Sequence, residues 1–298
     1  MANQQRRSIL CPNCGKLISV DEPHCPYCGL KHPGSRLRSN VWTRGFKDPA
    51  LLIRSIIYIN VGMYVLSLIL KPAGTGLSMN PLTFLAPDSS SILLLGATGT
   101  VPIDNFYSVL RSIGAMPIAL DYLPRWWTLL SANYLHGGIL HIFFNMVALR
   151  QLAPFIIREY GTYRMVTIYT AGGIIGFIVS YLAGVMFTIG ASAAVCSLIG
   201  ATLYYGLRRG GAYGQAVYRQ VGGWALGLFL FGFMVPGINN WGHGGGMLGG
   251  ILLGFVLGYH EKARERFSHK AIAGICAVLT VAVLGWAVTT GLYYRILG

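Results

Sequence analysis

The chain has 298 residues, of which 54% are hydrophobic and 11% charged, with a mean hydropathy of +0.55. A soluble domain carries roughly 25% charged residues, so an ordinary cytosolic globule is excluded and a membrane protein is expected. The net charge of +14 does not point to nucleic acid, because the basic residues are divided among several loops between apolar stretches, as membrane topology requires.

The amino terminus is a separate element. Cys11-Pro-Asn-Cys14-Gly and Cys25-Pro-Tyr-Cys28-Gly form two CxxCG knuckles, and thiolates paired in this way give tetrahedral zinc coordination. A redox or iron-binding site is the alternative. A disulfide is disfavoured, because topology assigns this segment to the reducing cytoplasm. His24 and His32 read as surface residues, since four cysteines complete the shell. A segment this short cannot bury a core, so the metal supplies the folding energy. Residues 1–34 are therefore expected to form a cytoplasmic zinc ribbon, and 35–50 a basic linker.

Apolar runs of about twenty residues predict spans near 51–70, 138–157, 164–187, 190–207, 221–237, 243–259 and 271–292. The stretch 92–120 begins apolar but is interrupted by Pro102, Asp104, Arg111 and Pro117; it reads as part of a long connecting loop, partly buried at the membrane surface. With seven spans, the basic residues of 1–50 fall on one side with Arg158/Arg164, Arg208/Arg209/Arg219 and Lys262/Arg264/Arg266/Lys270. The positive-inside rule makes that side the cytoplasm. The expected topology is an integral protein of a prokaryotic plasma membrane, amino terminus cytoplasmic and carboxyl terminus outside.

Polar residues inside the spans carry the functional signal, because such groups are costly at membrane depth. His136, His141 and Asn145 head the second span, Ser192 the fourth and His243 the sixth, so the topology sets all three clusters near the outer surface. An imidazole removes a serine proton at neutral pH, and none of the nine acidic residues lies within a predicted span. The reading is a serine–histidine dyad without a third member. Gly242, Gly246, Gly250, Gly254 and Gly258 recur every four residues, and Ser192, Cys196 and Gly200 form a matching small face, so the two helices can approach closely. The plainer readings are His136 as a structural group, Asn145 as interhelical glue, Ser197 bonded to its own helix, Cys276 as a small hydrophobe, and Trp126, Trp127, Tyr134 and Trp241 as an aromatic belt. Glycine-rich 237–246 is read as a segment able to flex.

On these residues the chain resembles the rhomboid family of intramembrane serine proteases over about 50–260. The resemblance rests on HGGILHIFFN, IGASAAVCSLIGA and INNWGHGGGMLGG in order. It implies an all-α polytopic protein with a six-helix catalytic core, residues 51–260, plus one extra carboxyl-terminal helix, residues 271–298. It implies Ser192 as nucleophile, His243 as general base, and an oxyanion hole to which His141, Asn145 and the serine N–H contribute. Its partners would be single-pass transmembrane protein substrates and the lipid bilayer, with an unknown partner for the zinc ribbon and no nucleic acid. Catalysis would need no cofactor. The chain departs from the family pattern at Ala193, Cys196, Ser197, Gly242 and Thr128; the first two bear on histidine positioning and the last on loop anchoring. Two other readings stand beside the protease: a catalytically silent relative that binds transmembrane helices, and a transporter or channel with a metal sensor. The transporter would need inverted repeats, which the sequence does not display.

Overall fold

The computed structural model describes residues 8–11, 16–34, 46, 48–80, 83–112, 114, 123–262 and 265–296. The chain divides into two compact units, Met1–Leu52 and Ile53–Gly298. In the first, β1 (Ser8–Leu10) pairs antiparallel with β2 (Leu17–Ser19), Ile9 opposite Ile18. Ile18, Cys11 and Cys25 form a small buried cluster against which Ile9 and Leu30 pack. Cys14 and almost all of the expected linker lie outside the described residues.

Among its described residues the second unit is helical apart from one short hairpin and the connecting loops. It opens on α1 (Pro49–Leu70), whose first turn belongs to the first unit. The hairpin of β3 (Gly76–Leu77) and β4 (Phe84–Ala86) follows. Next come α2 (Ser89–Leu94), α3 (Thr100–Asp104), α4 (Phe106–Ser112) and α5 (Thr128–Ser131). Six long helices complete it: α6 (Ile139–Tyr160), α7 (Thr162–Leu182), α8 (Ser192–Arg209), α9 (Gly211–Met234), α10 (Asn240–Leu257) and α11 (Phe267–Ile296). Among the described residues four helices, α1, α6, α7 and α11, are long and apolar enough to cross a membrane by length and composition.

Three expectations change in detail. The segment 92–120 is not simply loop: it carries α2, α3 and α4, which bury Leu95, Ile103, Phe106 and Leu110, while 113 and 115–120 lie outside the described residues. Pro102 falls in the first turn of α3, where its missing N–H costs no helical bond. The fifth helix starts at Gly211 rather than near 221, because the polar Gln215 and Arg219 that lower its hydropathy still suit a helix. Of the glycine-rich stretch, Gly242 to Gly246 is helical and only 235–239 lies between helices.

Local chemistry sets the helix boundaries. Gly161, at φ +103°, separates α6 from α7, and Glu265 fills the space its missing side chain leaves. That carboxylate accepts from the Tyr163 and Arg164 backbone N–H groups at 2.9 and 3.1 Å, a favourable anion at a helix N-terminus. At α2 the cap is Asp88. Burial works to raise its pKa, but bonds from Ser90 and from Lys71, the latter at 3.2 Å, outweigh burial and hold it below its ordinary value.

The centre of the unit is α10, which packs chiefly on α8 and α7. The contact is backbone to backbone. A Cβ on Gly246 would run into the Ala193 carbonyl, one on Gly250 into the Ser197 carbonyl, and one on Gly200 into the Met247 carbonyl. Of the expected glycine stripe, Gly246, Gly250 and Gly254 form the interface, with the facing positions on α8 read as Ala193, Ser197, Gly200 and Ala201, whereas Gly242 meets Asn239 and Gly258 stands in open space. Against this core α11 lies on α7, α5 and α2.

Gly250→Val should lower stability by roughly 1–3 kcal/mol or prevent folding, as overpacking does. Gly244, which has open space around it, supplies the control: Gly244→Ala should leave the melting temperature in detergent unchanged while Gly250→Val lowers it.

Candidate active site

The polar clusters meet at one end of the bundle. Ser192 is the first residue of α8, and His243 stands in the first turn of α10. Their chain neighbours Gly242 and Ala193 meet at α7: a Cβ on Gly176 would lie 2.7 Å from the Gly242 carbonyl oxygen and 2.9 Å from the Ala193 Cβ. Ser192 is half-buried and His243 is 6% exposed. His243 Nδ1 has no hydrogen-bond partner among the described residues.

His141 faces the same place from α6. The Gly137 N–H donates to its Nδ1 at 3.3 Å, so a neutral ring carries its proton on Nε2 and that nitrogen is a donor. A Cβ on Gly190, at φ +124°, would fall 2.7 Å from His141 Nε2 and 3.5 Å from Ser192 Oγ. Nitrogen and hydroxyl thus line one notch that only glycine leaves open. Asn145 sits one turn further along α6, 7% exposed, and its Nδ2 donates to the His141 carbonyl at 2.8 Å. His136 is fully buried, its ring edge-on to His141 at 5.1 Å between centroids, and neither nitrogen has a partner among the described residues.

The loop before Ser192 is clamped. Thr98 and Thr188 exchange backbone bonds at 3.1 and 2.8 Å, Thr100 and Val101 donate to the Val185 and Met186 carbonyls, and the Gly190 N–H reaches the Ala132 carbonyl at 2.9 Å. Gly99, at φ +129°, makes this possible, since a Cβ there would enter the Met186–Phe187 backbone. The Asn239 side chain accepts from the Gly242 N–H and donates to Ser180 Oγ and Thr188 Oγ1 at 2.6 and 2.9 Å. Sequence reading passed over Asn239, Thr98 and Thr188; an Asn directly before a helix is an N-cap signature that could have flagged the first.

The departures from the family pattern resolve physically. Ala193 points into a cluster with Ile103, Leu129, Ala132 and Phe177, so its methyl packs in the core instead of crowding Ser192. Ser197 does not bond its own helix: its Oγ donates to the Ile168 carbonyl of α7 at 2.6 Å, across the gap Gly172 leaves. Thr128 is fully buried and its hydroxyl reaches both the Arg125 carbonyl and Thr98 Oγ1, at 2.7 and 3.1 Å. Arg125 is held over the Phe106 and Trp127 rings. Cys196 is fully buried, 3.2 Å from where a Gly246 Cβ would lie. Tyr134 is 3% exposed and edge-on to Tyr169, so it is a core residue and not part of an aromatic belt.

In the first unit the Cys11, Cys25 and Cys28 sulfurs all lie within 4.8 Å of one another. The Gly29 N–H bonds to the Cys25 carbonyl at 2.8 Å, and Gly29 takes φ +70° to close the second knuckle. Cys11 and Cys25 are buried; Cys28 is exposed.

An apolar helical bundle with these features is an integral membrane protein. A family model described as Rhomboid domain matches residues 123–260, and one described as zinc-ribbon domain matches 9–31. Rhomboid protease GluP of Bacillus subtilis (strain 168) is 35% identical over 153 residues, 50% of this chain and 29% of that protein. RHOMBOID-like protein 5 of Arabidopsis thaliana is 34% identical over 196 residues, 59% of this chain and 63% of that one. Putative rhomboid protease YdcA of Bacillus subtilis (strain 168) is 32% identical over 142 residues, 47% of this chain and 71% of that one. The chain thus spans less than two thirds of the first two relatives and more than two thirds of the third. The chain belongs to the rhomboid family, and its amino-terminal unit carries a zinc-ribbon domain.

Gly99→Ala should loosen the clamp before Ser192, since a residue forced into an unfavourable backbone region costs about 1–3 kcal/mol. Hydrogen exchange at the Thr98 and Thr188 amides should accelerate by roughly tenfold or more, with exchange in the middle of α8 unchanged.

Proposed function

We propose that this protein is an intramembrane serine endopeptidase that cleaves transmembrane protein substrates near the outer membrane surface with a Ser192–His243 dyad. The observation that carries the reading is the notch at Gly190, lined by the Ser192 hydroxyl and the His141 Nε2 donor, with His243 opening the helix packed against that of the serine. Proteases named among the relatives support it.

The chemistry is acyl transfer. Ser192 Oγ adds to the scissile carbonyl carbon as its proton passes to the His243 imidazole. The C–N bond then breaks, and the imidazolium protonates the leaving amine. Water, deprotonated by the same imidazole, repeats the sequence on the ester and frees the acid. The His141 Nε2–H, the remaining Asn145 amide hydrogen and the serine backbone N–H are the donors for the developing oxyanion, a type of contact worth roughly 3–4 kcal/mol each. The dyad reading is supported by where described carboxylates of the second unit are engaged: Asp88 with Lys71 and Ser90, Asp104 with Tyr181, Glu159 with Arg158 and Tyr205, Glu261 with Arg209, Glu265 with the start of α7.

Cys11, Cys25 and Cys28, with Cys14, would hold zinc in the amino-terminal unit. The sulfur donors fit such an ion, which would supply folding energy of about 10–16 kcal/mol to a unit whose buried apolar cluster is very small. The seven-span topology, with the amino terminus cytoplasmic and the carboxyl terminus outside, is part of the same reading.

In lipid, a fluorophosphonate should label Ser192 in the wild type, and Ser192→Ala and His243→Ala should each abolish cleavage of a model transmembrane substrate. The double mutant should be no worse than either, since residues acting as a unit are not additive. His141→Ala and Asn145→Ala should lower turnover roughly tenfold to a thousandfold. A wild type that never labels from neutral to alkaline pH would make the silent, helix-binding relative the better reading.

Metal analysis of the full-length protein, purified reduced and without chelator, should find one zinc per chain. Cys25→Ser should lose it, leaving the melting temperature of the helical unit unchanged.

A further inference from the structure

We propose that Asn239 is a positioning residue that sets the approach of His243 to Ser192 by tying the first turn of α10 to α7 and to the loop before the serine. The proposal rests on reading Ser192 and His243 as the reacting pair. Asn239 ties together three elements that carry the site. Its Oδ1 accepts from the Gly242 N–H at 2.9 Å and its backbone carbonyl from the His243 N–H at 3.0 Å, fixing the first turn of α10. Its Nδ2 donates to Ser180 Oγ at 2.6 Å, in the last turns of α7, and to Thr188 Oγ1 at 2.9 Å, in the loop that leads into Ser192.

The orientation of this amide is determined by its partners. Turned over, its NH2 would face the Gly242 N–H, donor against donor, and the bond that starts α10 would be lost. Both Nδ2 hydrogens are used, so the amide cannot shift toward one helix without losing the other contact. Ser180 is fully buried and Thr188 is 6% exposed, which leaves little water to take over either bond. Thr188 is itself pinned by two backbone bonds to Thr98, and Gly190 by one to Ala132. The loop is thus rigid up to the nucleophile, and Asn239 is the side chain through which α10 is registered against it. His243 Nδ1 finds no partner among the described residues, so the ring is held by the placement of its helix.

A simple helix cap would use only Oδ1, and this separates the two roles. Asn239→Ser keeps a short capping oxygen but cannot span to Ser180 and Thr188. Displacement of a reacting group by about 1 Å costs on the order of a hundredfold, so kcat should fall about tenfold to a hundredfold with KM and melting temperature near those of the wild type. In Asn239→Asp the Ser180 and Thr188 hydroxyls can rotate to donate, so most of the rate should return. Its new charge, one turn from His243, favours the imidazolium and should move the acidic limb of the pH–rate profile to higher pH. Thr188→Val leaves the cap intact, keeps the test valid if Asn239→Ser fails to fold, and should lower kcat several-fold. Wild-type labelling of Ser192 by a fluorophosphonate is measured first. An inert wild type would overturn the pairing and this proposal with it. A reactive wild type matched in kcat by Asn239→Ser or Thr188→Val, or an Asn239→Asp profile that does not move, would overturn the positioning role alone.

Discussion

The structure depends on the contact between α8 and α10, where two helices meet without side chains between them. Inside a bilayer there is no hydrophobic gain from bringing one apolar helix to another, so close van der Waals approach and interhelical hydrogen bonds must supply the association. Gly246 and Gly250 against the Ala193 and Ser197 carbonyls, and Gly200 against Met247, supply the first. Ser197 to Ile168, and Tyr160 to the Ala201 carbonyl, supply the second. Because both helices begin at the same end of the bundle, this contact also sets Ser192 and His243 at that end. The same small residues depress hydropathy. Neither α8 nor α10 is among the four helices that length and apolarity alone mark as spans: α8 ends on Arg208 and Arg209, and α10 opens on Asn240 and His243.

Polar groups in the interior divide by whether they are satisfied. Ser131 donates to the Gly96 carbonyl, Asn133 to Leu129, Thr202 to Leu198 and Thr128 to Arg125, each between 2.7 and 2.9 Å. Such bonds are the rule for buried polar atoms, and exceptions call for an explanation. Among the described residues the exceptions include Oδ1 of Asn60, Asn133 and Asn240, the Tyr169 hydroxyl, both nitrogens of His136 and Nδ1 of His243.

Much of this was legible in the sequence, for identifiable reasons. Each of the seven predicted spans overlaps a long helix, because apolar runs of that length have few alternatives. The glycine stripe was readable because a four-residue recurrence lies on one helix face. The gathering of His141, Ser192 and His243 at one end followed from counting alternate spans. What the sequence left hidden were interactions without a local period. The clamp from Thr98 to Thr188 joins residues in two separate loops. Ser197 bonds across to α7 only because Gly172 leaves the room. Ala193 turns its methyl into a core that includes Ile103 and Leu129, which no reading of the GASA motif by itself could supply. Tyr134 looked like a membrane-surface aromatic because its neighbours are, yet it is enclosed against Tyr169.

The seventh long helix fits the same logic. The last turns of α11 bring Tyr294 into a buried cluster with Leu94, Phe106 and Leu110, and a Cβ on Gly291 would sit 3.1 Å from Leu95. Those residues flank Thr98, which holds Thr188, which receives the Asn239 amide. Its other end follows Glu265, whose carboxylate caps α7. An added helix that merely anchored the chain in lipid would not need to bury an aromatic residue in a loop 180 or more positions away. By closing over α2 and α4 it turns a segment of three short helices, each too short to hold its shape alone, into a fixed wall behind the serine loop. The order of the site is in this sense a property of the whole second unit, assembled from its first loop, its central glycine contact and its last helix together.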